Sequence, residues 1–299
     1  MIVKEHKLRF TKRQTHQTIQ YGSCFHIGNP NVHNDGMQVF MDRAKTRPWW
    51  HVGDMIESIL PGDPRFSITE HKDATLTNIQ SAVELLAQAN KTCLGLAMGN
   101  HEWKASGKLG DITEDMANRA KIPNLGVTAF IDMIAPDGQC RVFTAHGRGS
   151  VGFNSGFPDR DKVNCEIKLR RLLSPFEADL KCIGHFHRTI IAPEVDKAKG
   201  IVEDGEFKRR PRRVVPEWCV ACPSLFCNYE NGSTSASYAE IAMMPPTDLG
   251  WIEIDITRDG SVACIREIDE TGETVDEVES SYVRWPVTKH PHDLLQNNP

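Results

Sequence analysis

The stretch CLGLAMGNHE, residues 93–102, joins a short apolar run to a glycine and three polar residues. Its first six residues predict a buried β-strand, and Gly99 lets the backbone turn sharply where that strand ends. Asn100 and His101 therefore stand at a strand end, which is where α/β folds place functional groups. The stretch predicts an α/β fold with a polar site at the edge of a sheet.

The same arrangement recurs at other strand-like runs: Asp54 follows 49–52, His146 follows 139–145, and His185 and His187 follow 180–183. A single histidine is usually a surface or core group, but repeated placement at strand ends favours one shared site. Imidazole, amide and carboxylate ligands together suit a divalent transition metal, whereas magnesium and calcium prefer oxygen ligands throughout. The pattern therefore indicates a metal centre.

The rest of the chain alternates strand-like runs with amphipathic stretches, as α/β proteins do. Helices are predicted over Gly36–Arg47, about Asp73–Asn90, from near Asp111, and over Asp161–Leu173. Strands are predicted over Thr18–Phe25, over a hairpin of Val127–Ile134 with Gln139–Ala145, and over Val214–Cys222 and Trp251–Ile256. In the second helix Leu76, Ile79, Val83 and Leu86 form an apolar stripe that should face a sheet. We expect one domain over residues 1–285 and a flexible tail over residues 286–299.

Composition narrows the class of protein. The 299 residues are 39% hydrophobic and carry a net charge of −5, so the whole molecule does not attract nucleic acid or anionic membrane. Because no apolar run approaches the roughly 20 residues that a membrane helix needs, we expect a cytoplasmic protein without a membrane partner. The nine cysteines are an odd number and predict reduced thiols. The cluster Cys219, Cys222 and Cys227 lacks a fourth zinc ligand and is interpreted as buried strand cysteines.

Four motifs carry a resemblance to a known family: GDMIE (53–57), GNHE (99–102), HG (146–147) and GHFH (184–187). In order and spacing they resemble the motifs of the calcineurin-like metallophosphoesterase superfamily. The long helix and residues 250–256 are also similar to phage and prophage members. The resemblance implies a four-layer α/β/β/α sandwich of two mixed β-sheets, and hydrolysis of phosphate esters by a metal-bound hydroxide.

The resemblance also implies roles for individual residues. Two divalent transition-metal ions (Mn, Zn or Fe) would share Asp54; His26 and His187 would bind one ion, and Asn100, His146 and His185 the other. His101 would stabilise the transition state or protonate the leaving oxygen, and Glu102 would orient the imidazole of His101.

One position departs from the family pattern, because Cys24 stands where the first motif has an aspartate. A thiolate can take that place as a ligand, and it would favour zinc or iron over manganese or magnesium. The alternative is that Cys24 is an ordinary strand-end cysteine and that the first ion is weakly held or absent. A substitution that disables the enzyme is a third interpretation.

The sequence features that indicate a substrate are less specific than the metal-binding motifs. Residues 208–213 carry five positive charges that would attract a phosphate backbone, and Arg9, Lys12 and Arg13 would add to them, but a solvated loop is the alternative. Arg148 and Arg160 flank a glycine-rich stretch and are candidates for phosphate binding. The acidic segment Glu267–Glu279 is interpreted as solvated surface.

The preferred substrate is a phosphodiester, with nucleic acid as a candidate partner and the oligomeric state left open. A phosphomonoesterase or cyclic-nucleotide phosphodiesterase is the nearest alternative. A non-catalytic metal-binding scaffold on the same fold is the alternative from another functional class.

Overall fold

The computed structural model describes residues 1–63, 66, 75–150, 156–192, 200–203, 206–209, 217–229, 243 and 246–280. Its helices are α1 (Asn34–Ala44), α2 (Thr75–Ala87), α3 (Asn100–Leu109), α4 (Ile112–Ala120) and α5 (Pro158–Leu173). None of the helices in this part of the chain combines the length and the apolar content that crossing a lipid bilayer requires.

Most of the strands form two mixed sheets. The first sheet has the order β1 (Ile2–Lys7), β6 (Thr128–Ala135), β7 (Gly138–Ala145), β8 (Leu180–Ile183), β12 (Trp218–Ala221) and β9 (Ile190–Ala192). The second sheet has the order β15 (Thr274–Glu279), β14 (Val262–Ile268), β13 (Trp251–Thr257), β2 (His16–Gly22), β3 (Trp49–His51), β4 (Cys93–Ala97) and β5 (Asn124–Gly126). A separate antiparallel pair consists of β10 (Gly200–Glu203) and β11 (Glu206–Arg209).

The two sheets pack face to face through large buried side chains. On the inner face of the second sheet, Tyr21 of β2 stacks on its neighbour Trp50 of β3 with ring centroids 5.1 Å apart, and both side chains reach the first sheet. The hydroxyl of Tyr21 donates to the carbonyl of Val220 at 3.2 Å, and the indole N–H of Trp50 donates to Oγ1 of Thr144 at 3.1 Å. These bonds satisfy the polar ends of both aromatic side chains inside the core.

Helices cover the outer faces. Phe40 of α1 makes edge-to-face contacts with Trp49 and Trp251 on the second sheet. On the other side, Leu169 and Leu173 of α5 belong to a smaller apolar cluster over the first sheet. The order of layers is therefore helix, sheet, sheet, helix, which confirms the predicted α/β architecture of two mixed sheets.

The structure also corrects several sequence-based expectations. Leu76 does not belong to the buried stripe of α2, because it is 72% exposed, and Asn78 turns inward instead to donate to the carbonyl of Glu57 at 3.1 Å. Helix α3, which precedes the helix predicted near Asp111, was not expected, and neither was strand β1. The predicted tail, 286–299, lies outside the described residues.

Candidate metal centre

The seven candidate ligands come from loops that follow five strands: Cys24 and His26 follow β2, Asp54 follows β3, Asn100 follows β4, His146 follows β7, and His185 and His187 follow β8. Strands β2, β3 and β4 are parallel in one sheet, and β7 and β8 are parallel in the other. The carboxyl ends of these strands therefore meet at one edge of the sandwich. The structure brings all seven residues together there.

Backbone hydrogen bonds tie the loops to one another. The N–H groups of Cys24 and His26 donate to the carbonyls of Gly53 and Asp54 at 3.0 and 3.1 Å. In the first sheet, the N–H of Gly184 donates to the carbonyl of His146 at 3.0 Å. The positions of the ligands are thus set by main-chain contacts and do not depend on the side chains alone.

The ligand loops have unusual backbone conformations. Positive φ angles occur at Cys24 (54°), His26 (50°), Asp54 (53°), His185 (72°) and His187 (51°). Among the described residues, only two other non-glycine residues have positive φ. Each such residue costs on the order of 1–3 kcal/mol, and this strain concentrates at functional sites. The conformation turns all five side chains towards a common centre at the expense of stability.

Two glycines allow the loops of Asp54 and Asn100 to touch. Gly53 has a φ of +95°, and a Cβ there would lie 2.5 Å from the backbone nitrogen of Gly99. A Cβ on Gly99 would lie 2.1 Å from the backbone nitrogen of Asp54. Any larger residue at either position would therefore push the two ligands apart.

One group of ligand atoms surrounds the carboxylate of Asp54. Its Oδ2 lies 2.9 Å from Nε2 of His146, and that Nε2 lies 3.0 Å from Oδ1 of Asn100 and 3.2 Å from Nδ1 of His185. The other oxygen of Asp54, Oδ1, accepts from the backbone N–H of His101 at 2.9 Å. Asp54 is therefore anchored by one oxygen at the start of α3 and directs the other into the cluster.

Hydrogen bonding at His146 shows that this group suits a cation. Nδ1 of His146 lies 2.8 Å from the carbonyl of Val52, which can only accept, so Nδ1 carries the hydrogen. In the neutral imidazole Nε2 then presents its lone pair to the oxygen of Asp54. Two lone pairs at 2.9 Å repel each other unless a cation or a proton lies between them. The donor set therefore fits a transition-metal ion.

The amide of Asn100 supports the same interpretation. With its oxygen towards the cluster, it faces only the acceptor atoms of Asp54, His146 and His185. With its nitrogen there, it would lie 2.8–3.1 Å from the same three acceptors. Because an amide nitrogen has two hydrogens, one acceptor would remain without a donor. A cation coordinated by the amide oxygen resolves the conflict.

A second group of ligand atoms contains Cys24, His26 and His187. Sγ of Cys24 and one ring nitrogen of each histidine all lie within 4.8 Å of one another. The Nε2 atoms of His26 and His187 are 3.3 Å apart. Sγ of Cys24 also lies within 4.8 Å of ligand atoms of Asp54 and His146. Cys24 therefore connects this second group of ligand atoms to the group around Asp54. Asp54 thus adjoins both groups of ligand atoms.

Glu57 was quoted in the GDMIE motif but was given no role by the sequence. Its carboxylate joins two imidazoles, with Oε2 3.2 Å from Nδ1 of His26 and Oε1 2.8 Å from Nδ1 of His101. Glu57 is also buried. The hydrogen bond to His26 fixes its tautomer and leaves Nε2 directed into the cluster, and the contact with His101 is an ion pair that stabilises its charged form. The sequence feature that could have indicated a role for Glu57 is its position three residues after Asp54.

Glu102 has a different role from the predicted one. Its oxygens accept from the backbone N–H groups of Asp54, Met55, Ile56 and Gly99 at 2.7–3.2 Å. The carboxylate that pairs with the ring of His101 is that of Glu57. Glu102 therefore shapes the backbone of the Asp54 loop, and the expectation that it orients His101 is not met.

The electrostatics of the site follow from burial and proximity. Burial alone would raise the pKa of Asp54, but His146 and His101 hold it well below its usual value. Burial likewise disfavours charge on His146, yet Asp54 raises its pKa. Burial lowers the pKa of His185 to about 4 and also lowers that of His187, with a further contribution from neighbouring imidazoles. Both are therefore neutral near pH 7, which is the form that binds metal.

The candidate substrate-binding residues lie in different places. Arg148 is exposed and borders a cleft of about 320 Å³ beside Asn100 and His146. Arg160 is exposed in the first turn of α5, and none of the contacts described for the chain joins it to the ligand cluster. Of the basic run, residues 210–213 lie outside the described part of the chain.

Two further expectations concern surface and core residues. Of the three clustered cysteines, Cys219 is buried in β12 and Cys222 is buried directly after it, whereas Cys227 is only half-buried and lies outside any strand, so the interpretation as buried strand cysteines holds in full for Cys219 alone. Five of the six residues of β15, in the acidic segment, are exposed at the edge of the second sheet. Neither feature contributes to the ligand cluster.

No protein-family model matches the chain, and no curated protein matches it either. A predicted phosphoesterase from Streptococcus pneumoniae TIGR4 aligns with 89% of this chain and 99% of its own length at 12% identity and a TM-score of 0.38. A metallophosphoesterase from Sphaerobacter thermophilus aligns over 89% of both chains at 14% identity and a TM-score of 0.38. GAP50, the anchor in the inner membrane complex of Plasmodium, aligns over 89% of both chains at 9% identity and a TM-score of 0.42. At such values these likenesses decide neither the activity nor the site residues of this chain.

Proposed function

We propose that this protein is a metal-dependent phosphoesterase of the calcineurin-like metallophosphoesterase superfamily, acting on phosphodiesters. The observation that carries the proposal is the convergence of Asp54, Asn100, His146 and His185, with their lone pairs facing one another, next to Cys24, His26 and His187. This donor set fits one or two divalent transition-metal ions. Bound ions would supply charge neutralisation at the phosphoryl group and activation of water.

His101 is the proposed proton donor to the leaving oxygen. Its Nδ1 is held by Glu57 at 2.8 Å, so the proton available to the substrate is the one on Nε2. The negative charge on Glu57 stabilises the charged form of the imidazole before the proton is transferred. A purely structural metal site would not require a buried pair of Glu57 and His101. The presence of this pair therefore favours an enzyme over a non-catalytic scaffold.

The charge around the cleft favours a diester over a monoester. Among the described residues that line the cleft beside Asn100 and His146, Arg148 is the only lysine or arginine. A phosphodiester carries one negative charge, whereas a monoester carries nearly two near neutral pH. One arginine beside the metals matches the smaller charge.

The experiment combines metal analysis with substrate comparison. Purified protein is loaded in turn with Zn²⁺, Fe²⁺ or Mn²⁺ and assayed with bis(p-nitrophenyl) phosphate, p-nitrophenyl phosphate and DNA. We expect the diester to be hydrolysed fastest, and hydrolysis to fall about 10²-fold or more in His101→Ala. His16→Ala is the matched control, because His16 is exposed at the opposite end of β2.

Other outcomes identify the alternatives. Preference for the monoester would identify a phosphomonoesterase, and preference for DNA a nuclease. Activity seen only in Cys24→Asp would show that the natural site is disabled. Bound metal without turnover in every form would support the scaffold.

A further inference from the structure

An apolar cleft opens directly beside the candidate metal centre. It has a volume of about 320 Å³ and is bordered at one end by the ligands Asn100 and His146. Its walls include Trp103 of α3, Val127 before β6, and Leu172 and Phe176 at the end of α5. The volume lies at the lower end of the roughly 300–1,000 Å³ typical of small-molecule sites.

The floor of this apolar cleft is part of the packed interior. Phe143 and Leu173, which line it, are nearly fully buried and belong to the apolar cluster beneath α5. The ring of Phe143 stacks on that of Phe176 with centroids 3.8 Å apart. The floor is therefore formed before any ligand arrives, and binding needs little rearrangement there.

The mouth of the cleft exposes apolar surface to water. Trp103 is 66% exposed and Val127 is 53% exposed, although both side chains line the cleft. Exposed apolar side chains gathered beside a concave site favour ligand binding, whereas isolated ones are ordinary. Trp103 lines the same cleft as the candidate ligands Asn100 and His146, so a group against the indole would be close to a phosphate held at the metal centre.

We infer that this cleft holds a flat, aromatic organic group of the phosphate ester while the phosphate lies at the metal centre. The inference deepens the proposed function and rests on it. A nucleobase fits less well, because its polar edge needs several hydrogen-bond partners, and the described residues that line the cleft away from the ligands offer few polar side chains, chiefly Thr128 and Arg148. The flat face of Trp103 favours a ring over an alkyl chain.

The test measures binding separately from turnover. The monomethyl esters of methyl-, hexyl- and 1-naphthylphosphonate carry one negative charge, as a phosphodiester does, share one head group for the metals and differ only in the organic part. Their dissociation constants are measured by calorimetry on the metal-loaded full chain, together with the monomethyl ester of the phosphonate analogue of thymidine 5′-phosphate. We expect the naphthyl compound to bind at least about tenfold more tightly than the methyl compound, because it buries a ring in the apolar cleft.

Two variants test whether the gain arises in the cleft. Trp103→Ala and Val127→Lys should each remove most of the difference between the naphthyl and methyl compounds. Both positions are exposed, so the fold should tolerate the changes. Leu109→Ala is the matched control, since Leu109 is an exposed apolar residue on the same helix that does not line the cleft, and it should keep the full difference.

Several results would overturn the inference. They are equal binding of the naphthyl and methyl compounds, a preference that survives both variants, or tighter binding of the hexyl or thymidine compound. The proposed function has its own test, because it fails when no phosphate ester is hydrolysed with any metal. If the enzyme is active but does not bind the naphthyl compound more tightly, the inference about the cleft is wrong and the proposed function still holds.

Discussion

Oε1 of Glu57 lies 2.8 Å from Nδ1 of His101, in a pocket where both side chains are buried. The other oxygen of the same carboxylate reaches the candidate ligand His26 at 3.2 Å. Burial alone would raise the pKa of Glu57, but the two imidazoles lower it instead. One ionised carboxylate thus positions both a metal ligand and the proposed proton donor.

Replacing Glu57 should therefore impair catalysis more than folding. We expect Glu57→Gln to lower kcat/KM for bis(p-nitrophenyl) phosphate by about 10–100-fold, because the imidazole of His101 loses its charged partner. Glu57→Asp should recover part of the loss by restoring the charge. Steady-state kinetics at saturating metal measure the effect, and Glu84→Gln on the exposed face of α2 is the control. Unchanged kinetics in Glu57→Gln would contradict the assigned role.

Glu102→Gln should act mainly on stability. Its carboxylate accepts four backbone N–H bonds in a fully buried position, and a glutamine amide offers one oxygen and two competing hydrogens. We expect the free energy of unfolding to fall by about 2 kcal/mol or more. Urea denaturation measures this change, with Glu114→Gln on exposed α4 as the control. A variant as stable as the wild type would show that the loop does not depend on this carboxylate.

Spectroscopy can determine whether the thiol of Cys24 is a metal ligand. A coordinated thiol is deprotonated, even though burial and Asp54 raise the pKa of the Cys24 thiol within the protein. Protein loaded with Co²⁺ should therefore show a sulfur-to-cobalt charge-transfer band that disappears in Cys24→Ser and persists in Cys227→Ser. A band absent from the wild type would mean that the thiol is not a ligand.

Metal should stabilise the folded protein. Five candidate ligands hold positive φ angles whose cost is offset when the ligand atoms share a cation. At metal concentrations about 100-fold above the dissociation constant, linkage predicts a gain of about 2.7 kcal/mol. Thermal unfolding with and without chelator measures the gain, which Asp54→Asn should reduce. A melting temperature insensitive to chelator and to added Zn²⁺ or Mn²⁺ would speak against a bound ion.

Acid should destabilise the protein through His51. The ring of His51 is buried against Phe25, and its Nδ1 accepts from the N–H of Gly53. This burial lowers the pKa of His51 to about 3. The unfolded chain takes up a proton near pH 6.5 and the folded chain does not, so stability is complete above that pH and falls as the pH decreases towards 3. Between pH 7 and pH 5 this histidine alone should remove about 2 kcal/mol. Urea denaturation at both values should show a smaller loss in His51→Gln.

Local sequence patterns were sufficient to predict the buried strands and the polar residues at their ends. A buried strand reads as a run of apolar residues, and a glycine at its end marks a sharp turn, so the positions of Asp54, Asn100 and His185 at strand ends were visible in the sequence. Helix α3 was not visible, because only His101, Glu102 and Ala105 of its residues are buried and no apolar stripe results. Strand β1 was hidden for a similar reason, since an edge strand carries charged side chains such as Lys4 and Glu5.

The partner of His101 could be decided only by the tertiary structure. Glu102 is its neighbour in sequence, but adjacent residues on a helix point in different directions, so the side chain of Glu102 reaches the Asp54 loop instead. Glu57 is 44 positions away in the chain (101 − 57) and meets His101 because β3 and β4 are parallel neighbours in one sheet. The sequence by itself determined which residue types stand at the strand ends, because that depends on local pattern. Which of them touch depends on how distant strands pair, and only the folded chain decides that.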